Sequence, residues 1–365
     1  MANETFQRTQ HRELKGTGHF TRAVRGVEDT AVQWLWFALP INPERVGYGA
    51  GPLTWIRRRK HKKLRRRVHI CLLDYHPKGG RQSRFTEFWI NERSRLCSAS
   101  MNERIEDADV VWVYCKDPIP PNHKEGLLRV LKRARPGAPI MNHPEVYNAY
   151  HEEGTFEKLA EAGVSVPRSA LTDKEIGKTL VVYKTKKGHG HTPKFLSEYN
   201  DSKVGYRAFE FIDSRGLDGL YRRYRAYYIL GTVRPGTLLS SDRWNVLVKT
   251  AKRQEAFTMT SNEVNQIRLI AKTLDLQYFA VDYLRRKGDD SPVFIDLNVY
   301  PDICSRLKQT SRKLGYYGHW HSLEARTRLV ISEPLERPFW ETFDEVMCAF
   351  ASRKAAPSEP HDSGD

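Results

Sequence analysis

The sequence predicts an α/β fold that changes character along the chain, with a parallel α/β unit over residues 68–150 and an α+β region after it. Three observations predict this. Short apolar runs alternate with amphipathic stretches from Val68 onward, the rhythm of parallel strands and crossover helices. After Thr155, runs of β-branched and aromatic residues follow one another with one long helical pattern among them. Turn formers cluster in "KGDDSP" between two such runs, which marks a hairpin.

Residues 1–67 read as a basic N-terminal extension with little periodicity. The chain of 365 residues carries a net charge of +16, and much of it sits in "RRRKHKKLRRR" from Arg57 to Arg67. Such a charge attracts nucleotides, anionic substrates, nucleic acid or anionic surfaces. The run itself reads as a solvated linker in preference to a nucleic-acid site, because no RNA-binding signature accompanies it and the aromatics around it show no stacking pattern. "AVQWLWFALPI" is too short to cross a bilayer and contains Pro40. It also lacks the pattern of a signal peptide, so a soluble, cytoplasmic protein is expected. Cys71, Cys97, Cys115, Cys304 and Cys348 are widely spaced and predict reduced core thiols.

The α/β unit begins with the strand "VHICLLDY", followed by a helix around "SRFTEFWINERSRL" and a second strand, "ADVVWVYC". "PNHKEGLLRVLKRARPG" is an amphipathic helix stopped at Pro136–Gly137, and "APIMNH" is a third strand. In residues 151–330, Thr155 is expected to cap a short helix that Gly163 closes, with a strand at Val164–Val166 ended by Pro167. "TLVVYKT", "GYRAFEFID", "YRRYRAYYILG" and "WNVLVKT" read as strands. "SNEVNQIRLIAKTLD" is the intervening helix, with Ser261 as its expected cap. Residues 331–365 are expected to hold a helix and a disordered tail from about Ala355.

"YFAVDYLRRKGDDSPVFIDLNVYP" carries the most specific pattern. A hairpin symmetric about Asp289 places Asp282 opposite Asp296, with Asn298 two residues further along the same strand face. Opposed like charges are destabilising. Two carboxylates and an amide oxygen therefore form a shelf for a cation, and hard oxygen donors suit Mg²⁺ held with phosphates. The competing account is a pair of unrelated surface aspartates beside an Asx turn.

Lys184 ends a strand before Gly188 and Gly190, so an ammonium group and turn N–H groups are placed to cradle phosphates. A solvated hairpin turn explains the same residues. Arg223 and Arg225 share a strand face suited to phosphate or carboxylate, or to a charged edge strand. His189 with His191 and His319 with His321 have zinc-compatible spacing but no further ligands at finger spacing, and read as surface histidines.

In this order the pieces resemble the ATP-grasp superfamily over about Val68–Pro301, through "AGVSVP", "VVYKTKKGHG", "FEFID", "YRRYR" and "VDYLRR…VFIDLNVYP". The resemblance implies an N-terminal parallel α/β pre-ATP-grasp domain followed by two α+β subdomains clasping a nucleotide. It implies Asp282, Asp296 and Asn298 as ligands of Mg²⁺ (or Mn²⁺), and Lys184 on the phosphates of ATP. Glu210, Phe211 and Ile212 become the hinge whose backbone meets adenine, and Arg225 the contact to the transferred phosphoryl group or substrate carboxylate. Asp296 stands where many members have Glu, and "KKGHGH" replaces their small-residue loop. Lys158 matches a further family lysine by position only.

The implied activity is an ATP-dependent carboxylate–amine ligase working through an acylphosphate on small-molecule substrates. The alternatives are an ATP-grasp kinase acting on a hydroxyl or anionic small molecule, and a non-catalytic nucleotide or nucleic-acid binder. Homo-oligomerisation is left open. No G-x-S-x-G or Cys–His pattern competes with the phosphoryl-transfer reading.

Overall fold

The computed structural model describes residues 52–77, 79–169, 171–185, 194–200, 205–247, 250–301 and 337–353. Gly188, Gly190, the four histidines of the His-x-His pairs, Cys304 and the tail from Ala355 lie outside the described residues. The basic run is not a linker. Residues Pro52–Lys62 form helix α1, and His61 on its inner side is 5% exposed against Phe88 with Nε2 2.8 Å from Glu92. The chain then enters a parallel sheet of order β2-β1-β3-β4, formed by β1 (Val68–Leu73), β2 (Cys97–Met101), β3 (Val110–Val113) and β4 (Ile140–Met141). Every residue of β1 is buried, as a strand covered on both faces must be. Helix α2 (Arg81–Arg93) and helix α3 (Pro121–Leu131) lie where the alternation predicted helices; α3 joins β3 to β4 as expected, but α2 leads into β2, a strand the sequence reading did not include.

Helix α4 (Thr155–Glu161) starts one residue earlier than the expected cap allows. Gly154, at φ +83°, precedes it, and the Thr155 hydroxyl donates to the Ala149 and Glu152 carbonyls at 2.5 and 2.9 Å. Gly163 closes the helix at φ +91°, as expected. Val164–Val166 do not form a strand, although the Ser165 carbonyl accepts the Phe294 N–H at 2.8 Å.

Strands β5 (Leu180–Thr185), β6 (Lys194–Glu198) and β7 (Tyr206–Glu210) make an antiparallel sheet of order β6-β5-β7. A second antiparallel sheet, of order β10-β9-β8-β11-β12, contains β8 (Tyr221–Ile229), β9 (Thr232–Ser241), β10 (Arg253–Glu255), β11 (Tyr278–Arg285) and β12 (Pro292–Asn298). The described residues of the run "WNVLVKT" are not in a strand: residues 244–247 form bends and coil between β9 and β10. Helix α5 (Ser261–Leu274) is capped by Thr260 rather than Ser261. The Thr260 hydroxyl accepts from Glu263 N–H at 3.2 Å, and Glu263 accepts from Thr260 N–H at 2.7 Å.

Two apolar cores sandwich the parallel sheet. Ile70 and Leu72 join Phe88, Trp89, Phe343 and Met347 on one face; Cys71 and Leu73 join Leu127, Ile267 and Phe279 on the other. The second core fuses the α/β unit to the five-stranded sheet. Asn142, at φ +53°, seals the join: its Nδ2 donates to the Tyr278 carbonyl at 2.7 Å, and its Oδ1 accepts from Gln277 and Tyr278 N–H. The small sheet stands apart, since its buried Val181, Tyr183 and Phe209 belong to neither core.

Helix α6 (Arg337–Ala351) returns to the α/β unit through Phe343 and Met347. Asp344, 6% exposed, accepts from the Ser94 hydroxyl and from Arg95 N–H at 2.8 Å. Asp344→Ala leaves these donors without their acceptor and is expected to cost about 1–3 kcal/mol. Urea unfolding checks this, and a loss below about 0.5 kcal/mol would show that the apolar face alone docks α6.

Candidate functional site

The hairpin of β11 and β12 brings the two aspartates together as the sequence predicts, by a route it does not show. Near the turn the register is Tyr283↔Phe294 and Leu284↔Val293, and a bulge then shifts it so that Asp282 faces Asp296 and Ala280 faces Asn298. The additional residue on β12 is Ile295. Its carbonyl accepts from Lys184 Nζ at 2.8 Å, which ties the end of β5 to the bulge. The ammonium group also lies 5.0 Å from the Phe209 ring and 5.7 Å from the Phe156 ring.

Asp282 is 3% exposed, and the cations beside it are guanidinium groups from β8. Arg225 grips it in two places, Nε to Oδ1 at 2.6 Å and a terminal nitrogen to Oδ2 at 3.0 Å, and Arg223 approaches Oδ2 at 3.3 Å. This fork geometry is the strong form of a charge-assisted hydrogen bond. Burial works against the charge of Arg225, but Asp282 offsets it and the pKa rises above the ordinary arginine value. The cationic partner that the opposed carboxylates call for is thus supplied in part by the protein itself, through two positive charges from β8.

Asp296 accepts from the Tyr150 hydroxyl at 2.9 Å. Burial first, and then the Asp296 charge, push that phenol well above its usual pKa, so it stays a hydrogen-bond donor. Asn298 Oδ1 accepts from Tyr300 N–H at 2.8 Å, an Asx turn that bends the chain out of the strand. Tyr300 then meets the α/β unit, where its hydroxyl accepts from Ser83 N–H at 2.8 Å. Ser83 in turn bonds Asp74, which accepts from His76 and Gly80 N–H at 2.8 Å.

A cleft of about 670 Å³, measured to its open mouth, runs between the small sheet and the hairpin. Lys184, Glu210, Phe211, Ile212, Arg223, Asp282 and Asp296 all line it, which joins predicted site residues from five separate strands and their ends. Arg225 and Asn298 are not among its lining residues; Arg225 sits on Asp282, and Asn298 in its turn. Lys158 is exposed on α4. Glu210 and Phe211 use their N–H groups on the Arg168 and Leu180 carbonyls, at 2.9 and 3.1 Å. The Glu210 carboxylate is held by Arg286 at 3.0 Å.

Pro167, Trp244, Asn245 and Val246 also line the cleft and were not found from sequence as site residues, nor was Tyr150 behind Asp296. Trp244 faces Phe211 edge-on, with ring centroids 6.5 Å apart. Together with Val182, Val246 and Leu284 these rings form an apolar slot at one side of the charged wall. Among the described residues, no group of three or more His, Cys, Asp or Glu side chains is arranged to hold a metal.

No family model matches the chain, and no curated protein matches it. Solved structures similar to it include the ATP-grasp ligase PsnB with a precursor peptide and AMPPNP, at 15% identity over 67% of this chain and 93% of that one, TM-score 0.45. A RiPP-associated ATP-grasp ligase from Chryseobacterium gregarium, in complex with ADP and a leader and core peptide, is 12% identical over 72% and 96%, TM-score 0.45. D-alanine–D-alanine ligase from Bacillus anthracis is 14% identical over 75% and 99%, TM-score 0.43. Likenesses of this size carry no argument about activity, which rests on the residues of the cleft.

Proposed function

We propose that this chain is an ATP-dependent carboxylate–amine ligase of the ATP-grasp type. One observation carries the reading: a single cleft combines an apolar aromatic slot with Lys184, Arg223, Asp282 and Asp296. The slot of Phe211, Trp244 and Val246 suits a flat base, and the adjoining charged wall suits a polyphosphate. Phosphoryl transfer needs positioning and charge stabilisation more than a protein nucleophile. The described cysteines fit this. Burial pushes the Cys71 thiol up to about 12 and raises Cys97 and Cys115 as well, so none is poised as a thiolate.

In this reading Lys184 and Arg223 hold phosphate oxygens, and Arg225 keeps Asp282 in place. Glu210 and Phe211 fix the wall above the base through their strand hydrogen bonds. Asp296 and Asn298 offer hard oxygen donors suited to Mg²⁺. Asp282 has about four lone-pair sites, of which the guanidinium contacts occupy three, and so contributes at most one. A bound Mg²⁺ supplies charge neutralisation for the phosphates. The reaction transfers the γ-phosphoryl group of ATP to a carboxylate oxygen, releasing ADP. An amine then forms the C–N bond and releases phosphate.

A screen of amino acids, peptides and small acids for ADP release, run with hydroxylamine, tests this. Substrate-dependent hydroxamate is the expected product, because hydroxylamine captures an acylphosphate. ADP release with a stable phosphorylated hydroxyl product and no hydroxamate would make the chain a kinase. Failure to bind ATP would remove the reading altogether.

A further inference from the structure

The cleft leaves helix α1 without a role. Residues 57–67 contain nine Lys and Arg, and residues 52–67 contain no Asp or Glu. The structure shows these charges held in a fixed array. His61 turns inward to Glu92 and Phe88. Lys62 pairs with Glu103 at 2.9 Å. Arg66 donates to the carbonyls of Ile90, Asn91 and Cys97 at 3.3, 3.1 and 3.0 Å, which satisfies the end of α2. Arg58, Arg59, Lys60, Lys63, Arg65 and Arg67 remain exposed around this anchored core.

We propose that α1 and the turn after it form a docking surface for a nucleic-acid phosphate backbone. Charge density selects this partner. Arg58, Arg59, Lys60, Lys63, Arg65 and Arg67 place six exposed positive charges within one short segment, and a duplex, with one charge per about 1.7 Å of its axis, offers the counter-charge density to meet them. A membrane surface is disfavoured because an interfacial helix needs an apolar face to bury in lipid. Here His61 on the inner side is already covered by the protein, and Ile56 is the exposed large apolar residue among those described on α1. Held in place, the charges also repel one another. Arg104 has its pKa lowered by burial first and then by the charge of Arg65, and an anionic partner relieves that strain.

Full-length protein is titrated with fluorescently labelled tRNA, duplex RNA and duplex DNA at several salt concentrations. The comparison is with a variant carrying Arg59→Glu, Lys60→Glu, Lys63→Glu and Arg65→Glu. Each lost phosphate contact lowers the slope of log K against log salt by about 0.7–0.9, so the four together lower it by about 3. A control with Arg129→Glu, Lys132→Glu, Lys174→Glu and Lys178→Glu changes the net charge equally at exposed sites elsewhere and should keep the wild-type slope. If charge reversal disturbs folding in a thermal melt, the same four positions changed to Gln give the same readout. Tighter binding of RNA than of DNA of equal length identifies the source of the phosphates. An unchanged slope in the α1 variant overturns the proposal, as does an equal loss in the control. Tighter binding of polyglutamate or phosphatidylserine vesicles than of either nucleic acid also overturns it.

Discussion

Asp282→Ala is expected to destabilise the fold by about 3–5 kcal/mol, the cost of removing one partner from a buried ion pair. Asp282 is 3% exposed, and its carboxylate answers two guanidinium groups at once. Without it, Arg223 and Arg225 are left side by side, 19% and 34% exposed, with their own repulsion unopposed. The melting temperature should fall by roughly 5 °C for a chain of this size. Asp282→Asn should lie between the variant and wild type, because it keeps an acceptor but loses the charge. A triple variant with Arg223→Met, Arg225→Met and Asp282→Leu should regain most of the loss, since apolar groups of similar volume replace such a cluster with little penalty. Asp282→Ala melting within a degree of wild type would mean that the ion cluster contributes nothing to the fold.

Asp296→Asn should behave in the opposite way, folding normally and failing in ATP turnover. The Tyr150 hydroxyl can donate to the new amide oxygen as it does to the carboxylate, so stability should change by less than about 1 kcal/mol. Loss of the charge facing the cleft should lower turnover by about 10²–10³-fold. Initial rates across a Mg²⁺ titration separate the causes. A rate partly restored at high Mg²⁺ places the loss in metal affinity, and an unrestored rate places it in the chemical step. Wild-type turnover by Asp296→Asn would remove Asp296 from the reaction.

The hairpin was legible because strand alternation and one turn are local signals. Counting from Asp289 pairs Asp282 with Asp296, yet the register beside the turn is one residue off, and the bulge at Ile295 restores it. The right pair thus came from two compensating departures. The contact of Arg225 with Asp282 was not legible, because no sequence pattern announces that β8 lies beside β11, 57 residues away. Trp244 was hidden for a different reason: its neighbours have the composition of a strand, and the chain bends there instead. The caps failed by one residue each, at Thr155 and Ser261, where neighbouring positions offered competing signals.

The small sheet, standing outside both cores, behaves as a flap mounted on springs. Lys184 to the Ile295 carbonyl, Glu210 to Arg286, and Lys287 N–H to the Asp213 carbonyl are three of those springs. Their compliance depends on the medium. Both side chains are half-buried, but Arg286 meets a carboxylate and Lys184 a neutral carbonyl, so mobile ions weaken the Arg286–Glu210 spring more. Rising ionic strength therefore loosens the flap from its outer edge inward and leaves the two apolar cores as tightly packed as before. The aperture of the cleft is thereby expected to vary with salt.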